Sequence, residues 1–143
     1  MKFEQLYLNG YGVHRDTLFD LDVSAPATVF FGHNEAGKST VMSFIRAMLL
    51  GFPTRANMPE RYEPVHGGRY GGAMTMVDEL GRRIRLERYE SSRTFRLQFE
   101  DGTEAGQSTL QALLGGMTPE LYRSVFAFSL SELQRLDSLR ADE

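Results

Sequence analysis

Residues 32–39 read Gly32-His33-Asn34-Glu35-Ala36-Gly37-Lys38-Ser39. The stretch fits G-x-x-x-x-G-K-[ST], a loop that cradles phosphates between a strand and a helix. Both neighbours have the required character. Ala27-Thr28-Val29-Phe30-Phe31 is a short, almost wholly apolar run, which predicts a strand buried on both faces. Downstream, Val41, Phe44, Ile45, Met48 and Leu49 recur at helical spacing, and Gly51 is placed to end the helix. Gly32 and Gly37 let the backbone turn tightly and approach a phosphate with no Cβ in the way. The amides from Glu35 to Thr40, with Asn34, Ala36 and Ser39 in the same run, then point at a β-phosphate, helped by the positive end of the helix. Lys38 reaches the β- and γ-phosphates, and Ser39 offers its hydroxyl to Mg²⁺. The plainer alternative is a glycine turn joining strand to helix; the flanking pattern favours nucleotide binding.

The 143 residues are one domain's worth, and 41% hydrophobic with 24% charged residues reads as soluble and globular. There is no cysteine, hence no disulfide framework and no thiolate metal site. No apolar run approaches the length of a membrane span. Met-Lys-Phe-Glu-Gln lacks the apolar core of a secretory signal, so the cytoplasm is the expected compartment. The net charge of −3 gives no global attraction to nucleic acid.

Taken in order, Lys2 to Leu8 reads as a strand, Asn9-Gly10-Tyr11-Gly12 as a turn, and Thr17 to Val23 as a half-buried strand. A hairpin is thus expected ahead of the P-loop strand, unlike small kinases and GTPases. Residues 52–68, with Pro53, Pro59 and Pro64, read as a long surface loop. Three antiparallel strands follow: Gly72–Val77, Arg82–Tyr89 and Thr94–Phe99. In the second, Ile84, Leu86 and Arg88 share one face and Arg83, Arg85 and Glu87 the other. Asp78 and Glu79 mimic the acidic Mg²⁺ motif of many P-loop ATPases, but Gly81 and the next alternating run make them turn residues. Arg82, Arg83, Arg85, Arg88, Arg93 and Arg96 could meet phosphate backbones; pairing with Glu87, Glu90 and Glu100 is the favoured reading. Ser108-Thr-Leu-Gln111 reads as a capping box for a short helix that ends at Leu113-Leu114-Gly115-Gly116. Thr118-Pro119 opens another helix, Val125 to Phe128 is a short strand, and Ser129 to Glu132 caps a third helix.

This order, with "LNGYGVHRDTLFDLD", "GHNEAGKST" and a helix ending "LLGF", resembles the N-terminal half of an ABC-type ATPase head, as in SMC, SbcC and RecF-like proteins. The Asn-Glu-Ala loop and "LYRSVFAFSLSELQ" look most like the YhaN-type bacterial branch. The resemblance implies an α/β fold: a P-loop NTPase lobe of ABC-ATPase head type, with a mixed sheet and antiparallel hairpins around the P-loop helix. It divides the chain into 1–50 (hairpin, P-loop strand and helix), 51–68 (loop), 69–104 (antiparallel strands) and 105–143 (helices leading towards a coiled coil). It implies ATP and Mg²⁺ as ligands, Lys38 as the catalytic lysine, and Tyr11 to His14 bordering the adenine, with Tyr11 stacking on it or simply packed. Arg55, Arg61 and His66 would lie near the nucleotide, though ordinary loop residues are favoured. Ser129 stands where the family's Mg²⁺-coordinating glutamine is expected, and Gln134 comes later.

The serine-bearing signature, acidic Mg²⁺ motif and switch histidine of a complete head are not in these residues. The expectation is therefore an N-terminal piece of a longer protein. Its partners would be its own C-terminal half, a second head on ATP binding, a calcineurin-like nuclease subunit by family analogy, and DNA for the full complex, with no membrane. The implied activity is ATP-driven head dimerisation and hydrolysis coupled to DNA processing or repair, with the chain alone inactive. A nucleotide-gated tethering module is the alternative, and a stand-alone P-loop phosphotransferase a weaker one.

Overall fold

A computed structural model describes residues 2–25, 38–54, 56, 61–90 and 93–116. The apolar run, most of the P-loop, Arg55, Ser129, Gln134 and the other expected elements after residue 116 lie outside the described residues.

Alternation in the sequence builds a one-sided sheet. β1 (Lys2–Tyr11) and β2 (His14–Asp20) form a hairpin; β3 (Gly71–Val77), β4 (Arg83–Tyr89), β5 (Thr94–Phe99) and β6 (Glu104–Ala105) extend it. The order is β2-β1-β3-β4-β5-β6, with each neighbouring pair antiparallel. Register sets Phe19, Leu6, Met74, Leu86 and Leu97 opposite one another in a row across five strands. The next row, Gln5, Thr75, Arg85 and Gln98, is polar and faces the other way. One helix, α1 (Lys38–Leu50), lies against the apolar rows through Val41, Phe44, Ala47, Met48 and Leu49, all buried. A second, α2 (Gln107–Leu113), adds Leu110 to the same core. Each of these side chains larger than Ala47 contributes roughly 1.5–3 kcal/mol of burial.

Three boundaries differ from the sequence reading. β1 runs on through Asn9 and Gly10 to Tyr11, and the turn is at Gly12 and Val13. Residues 67–70 cross the strand there: Asn9 Oδ1 accepts from the Arg69 amide at 2.8 Å, Gly10 bridges Tyr70, and a Cβ on Gly10 would lie 2.9 Å from the Gly67 carbonyl. Asn-Gly thus serves a backbone crossing rather than a turn. β2 ends at Asp20, because Asp22 accepts from the Ser24 amide and hydroxyl and turns the chain. At α2 the N-cap is Gly106, with no side-chain cap, and not Ser108. β6, too short to see in the sequence, ends two residues before Gln107, makes Gly106 the cap and leaves Ser108 inside the first turn.

Other readings hold. Gly116 and Gly115 amides bond Gln111 and Ala112 carbonyls at 2.9 and 3.1 Å, so the Leu-Leu-Gly-Gly stretch does end a helix. Asp78 Oδ1 accepts from the Leu80 and Arg82 amides, and its Oδ2 from Arg82 Nε at 2.7 Å, which makes it a turn residue. The basic cluster is largely neutralised: Arg83 pairs with Glu4 and Glu100, Arg85 with Glu87, and Arg96 with Glu104.

Candidate functional site

The motif's last two residues head α1. Lys38, Ser39 and Thr40 form its first turn, and no acidic residue in that turn offsets the positive end of the helix. That end is therefore suited to an anion. Ser39 is exposed, and its hydroxyl has no partner among the described residues. An exposed hydroxyl can take a hard cation beside phosphate oxygens, which fits the Mg²⁺ expected from the motif. Gly32, Asn34, Glu35, Ala36 and Gly37 lie outside the described residues.

What fixes the position of α1 is the tip of the first hairpin. Gly12 has φ +55°, and a Cβ there would lie 2.7 Å from Thr40 Cγ2. Thr40 is buried under this turn, so the hairpin and the first turn of the helix touch directly. Gly12 also donates to the Tyr62 carbonyl at 2.8 Å and accepts from the Val65 amide at 3.0 Å. The long loop is thereby tied to the same point.

Tyr11 takes the packed one of its two expected roles. Its side chain is 0% exposed. Tyr62 stacks on the ring at 6.0 Å, Phe44 meets it edge-on at 5.3 Å, and Tyr70 lies 5.4 Å away. No face is left for an adenine. The phenol shares a 2.8 Å hydrogen bond with Ser43 Oγ, one turn into α1. Burial pushes its pKa far up, only partly countered by that bond, so it stays neutral. Tyr11 is thus a packed anchor that holds α1 to the sheet. The exposed residue of the turn is Val13; His14 packs edge-on to Phe19 at 5.6 Å.

Arg61 is not a solvated loop residue. Its side chain is 3% exposed and donates to the Pro53 carbonyl at 2.6 Å and to Glu63 and Glu90 at 3.0 and 3.4 Å. It locks residues 53, 61–63 and the end of β4 together. His66 is exposed, and its carbonyl accepts from Arg15. Sequence reasoning missed Ser43 and Thr40 as the helix-side partners of the hairpin. Their spacing of three within the helix was the available signal, since it places both on one face. No helix among the described residues is long and apolar enough to cross a membrane.

Comparison with known proteins agrees with this arrangement. A family model described as an AAA domain matches residues 1–136. The "Uncharacterized protein YhaN" of Bacillus subtilis (strain 168) is 31% identical over 144 residues, an alignment that takes in 100% of this chain and 14% of that protein. The chain thus spans about one-seventh of that relative's length. A chain solved in work on "ATP-driven dimerization and DNA stimulated activation of SMC ATPases" has a similar fold, with TM-score 0.64 over 96% of this chain and 91% of that one at 16% identity. With Lys38-Ser39 at the head of α1 and the family match running through both sheet and helices, the chain belongs to the AAA-domain family and has the fold of an SMC ATPase head lobe.

Proposed function

We propose that the chain is the ATP-binding N-terminal lobe of an SMC/SbcC-like ATPase. The observation that carries the reading is the start of α1 at Lys38-Ser39, docked on the hairpin through Thr40 and Gly12 with its positive end uncompensated. In this role the backbone from Asn34 to Thr40 cradles the phosphates, Lys38 stabilises charge on the β- and γ-phosphates, and Ser39 holds Mg²⁺. The metal, when bound, neutralises charge that develops between the two phosphates. The adenine is bordered by the tip of the hairpin at Val13 and His14 rather than by Tyr11. Hydrolysis needs acidic and signature groups supplied by a C-terminal half and a second head. In the whole protein ATP-driven head association drives DNA processing, beside a nuclease subunit, in the cytoplasm.

Calorimetry with ATP and Mg²⁺ on this chain and on Lys38→Ala tests the reading. Loss of the charged contact is expected to weaken binding at least about tenfold, with negligible turnover in either protein. Robust turnover by the unaltered chain would instead make it a self-sufficient phosphotransferase. Equal binding by both proteins would remove Lys38 from the site.

A further inference from the structure

Away from the P-loop end, a cleft of about 270 Å³ opens beside the C-terminal end of α1. Arg88, Arg93, Phe52, Phe95, Gln107 and Glu90 line it. Arg88 projects from the core face of β4 and is only 7% exposed. Its hydrogen-bond partners are neutral: the Ala47 carbonyl at 3.4 Å and Gln107 Oε1 at 2.6 Å, with the Phe95 ring 4.8 Å below. It takes part in none of the ion pairs found among the described residues. A desolvated guanidinium with no counter-charge is costly to keep. Burial alone lowers its pKa to about 10, so it remains a cation at neutral pH.

Arg93 stands at the mouth of the same cleft. It is exposed, held at φ +48°, and likewise pairs with no carboxylate among the described residues. Gln107 presents its carbonyl oxygen to Arg88, which leaves its NH₂ as a donor. The carboxylate on the wall, Glu90, is engaged by Arg61 at 3.4 Å. We propose that this cleft is an oxyanion site that takes a phosphate group, free or esterified, between Arg88 and Arg93. A phosphate group offers up to two charges and tetrahedrally spread oxygens, which can meet two guanidiniums and an amide donor together. The site is independent of the nucleotide reading, since none of its residues belongs to the P-loop.

The test uses the 143-residue chain carrying Lys38→Ala, so that the P-loop's own affinity for phosphate does not contribute. Inorganic phosphate and phosphoserine are titrated separately while the amide resonances of Thr94, Phe95 and Gln107 are followed by NMR. Saturable shifts with phosphate alone point to a free anion; shifts with phosphoserine point to an esterified one, and either supports the site. Arg93→Gly removes one guanidinium and suits the left-handed backbone, so the fold is kept. It is expected to weaken binding about tenfold. Arg88→Gln is expected to abolish it. No saturable shift with either probe overturns the proposal. So does unchanged affinity in an Arg93→Gly protein with an otherwise native spectrum.

Discussion

Gly12 and Tyr11 show how α1 is located by residues at the tip of the first hairpin. At Gly12 two constraints coincide: a left-handed backbone, and a Thr40 methyl 2.7 Å from where a Cβ would be. Gly12→Ala should therefore lose roughly 1–2 kcal/mol from the backbone term alone. The added methyl must also push the first turn of α1 away, so ATP affinity should fall with stability. Urea denaturation and ATP calorimetry on the one variant check this; an unchanged midpoint with unchanged affinity would show that the contact does not position the helix. Tyr11→Phe removes only the hydroxyl shared with Ser43. A loss of about 1 kcal/mol is expected, with no change in preference for ATP over GTP. A change in base preference would return Tyr11 to the adenine site.

α1 is the element on which sheet and site depend together. Its buried face fills the hollow over the Leu6, Met74 and Leu86 row, and Phe44 also braces Tyr11. Phe44→Ala should cost about 3–5 kcal/mol, by far more than a surface substitution such as Met42→Ala on the same helix. Thermal melting of both variants checks it, and equal effects would mean that α1 is not packed as described. This helix was fully legible, because five apolar residues at helical spacing leave one arrangement. The faces of β4 and β5 were legible for the same reason, since period-two alternation assigns a side to every residue. What was not legible depends on chain crossings. Asn9-Gly10 has turn chemistry, yet Gly10 is a glycine because residues 67–69 pass over it. Ser108 has the form of a cap, but β6 decides where α2 begins. Arg61 looked like a loop charge, and only the tertiary structure buries it. Alternation put Arg88 on the apolar face of β4, but did not show its burial without a carboxylate partner among the described residues. The G-x-x-x-x-G-K-[ST] motif marked where α1 begins, while the Gly12–Thr40 contact that aims the helix has no local signature.

Across the whole molecule, the polar side of the sheet and its turns are fastened by ionised carboxylates. Glu4 on β1 reaches over β3 to Arg83 on β4, with Nε 2.9 Å from Oε2. Asp22 accepts from Ser24 after β2, and Asp101 from the Thr103 amide between β5 and β6. The Arg83 hydrogen bond lowers the pKa of Glu4 below its ordinary 4.5, and the Ser24 and Thr103 bonds lower those of Asp22 and Asp101 below 3.8. An unfolded chain therefore takes up protons on these groups before the folded one does. Their stabilisation is complete above the ordinary carboxylate range and is lost as pH falls through the lowered folded values. Asp22 and Asp101 are exposed and Glu4 is half-buried at the surface, so each contribution is small and weakened by salt. Their effect is on the shape of the acid limb. The melting temperature should be flat from about pH 7 to about pH 5 and then decline steadily towards pH 3. Glu4→Gln removes the clip between β1 and β4 and should make the decline shallower while leaving the neutral plateau nearly in place. A melting temperature that rises on acidification, or an acid limb identical in Glu4→Gln, would show that these carboxylates do not fasten the sheet.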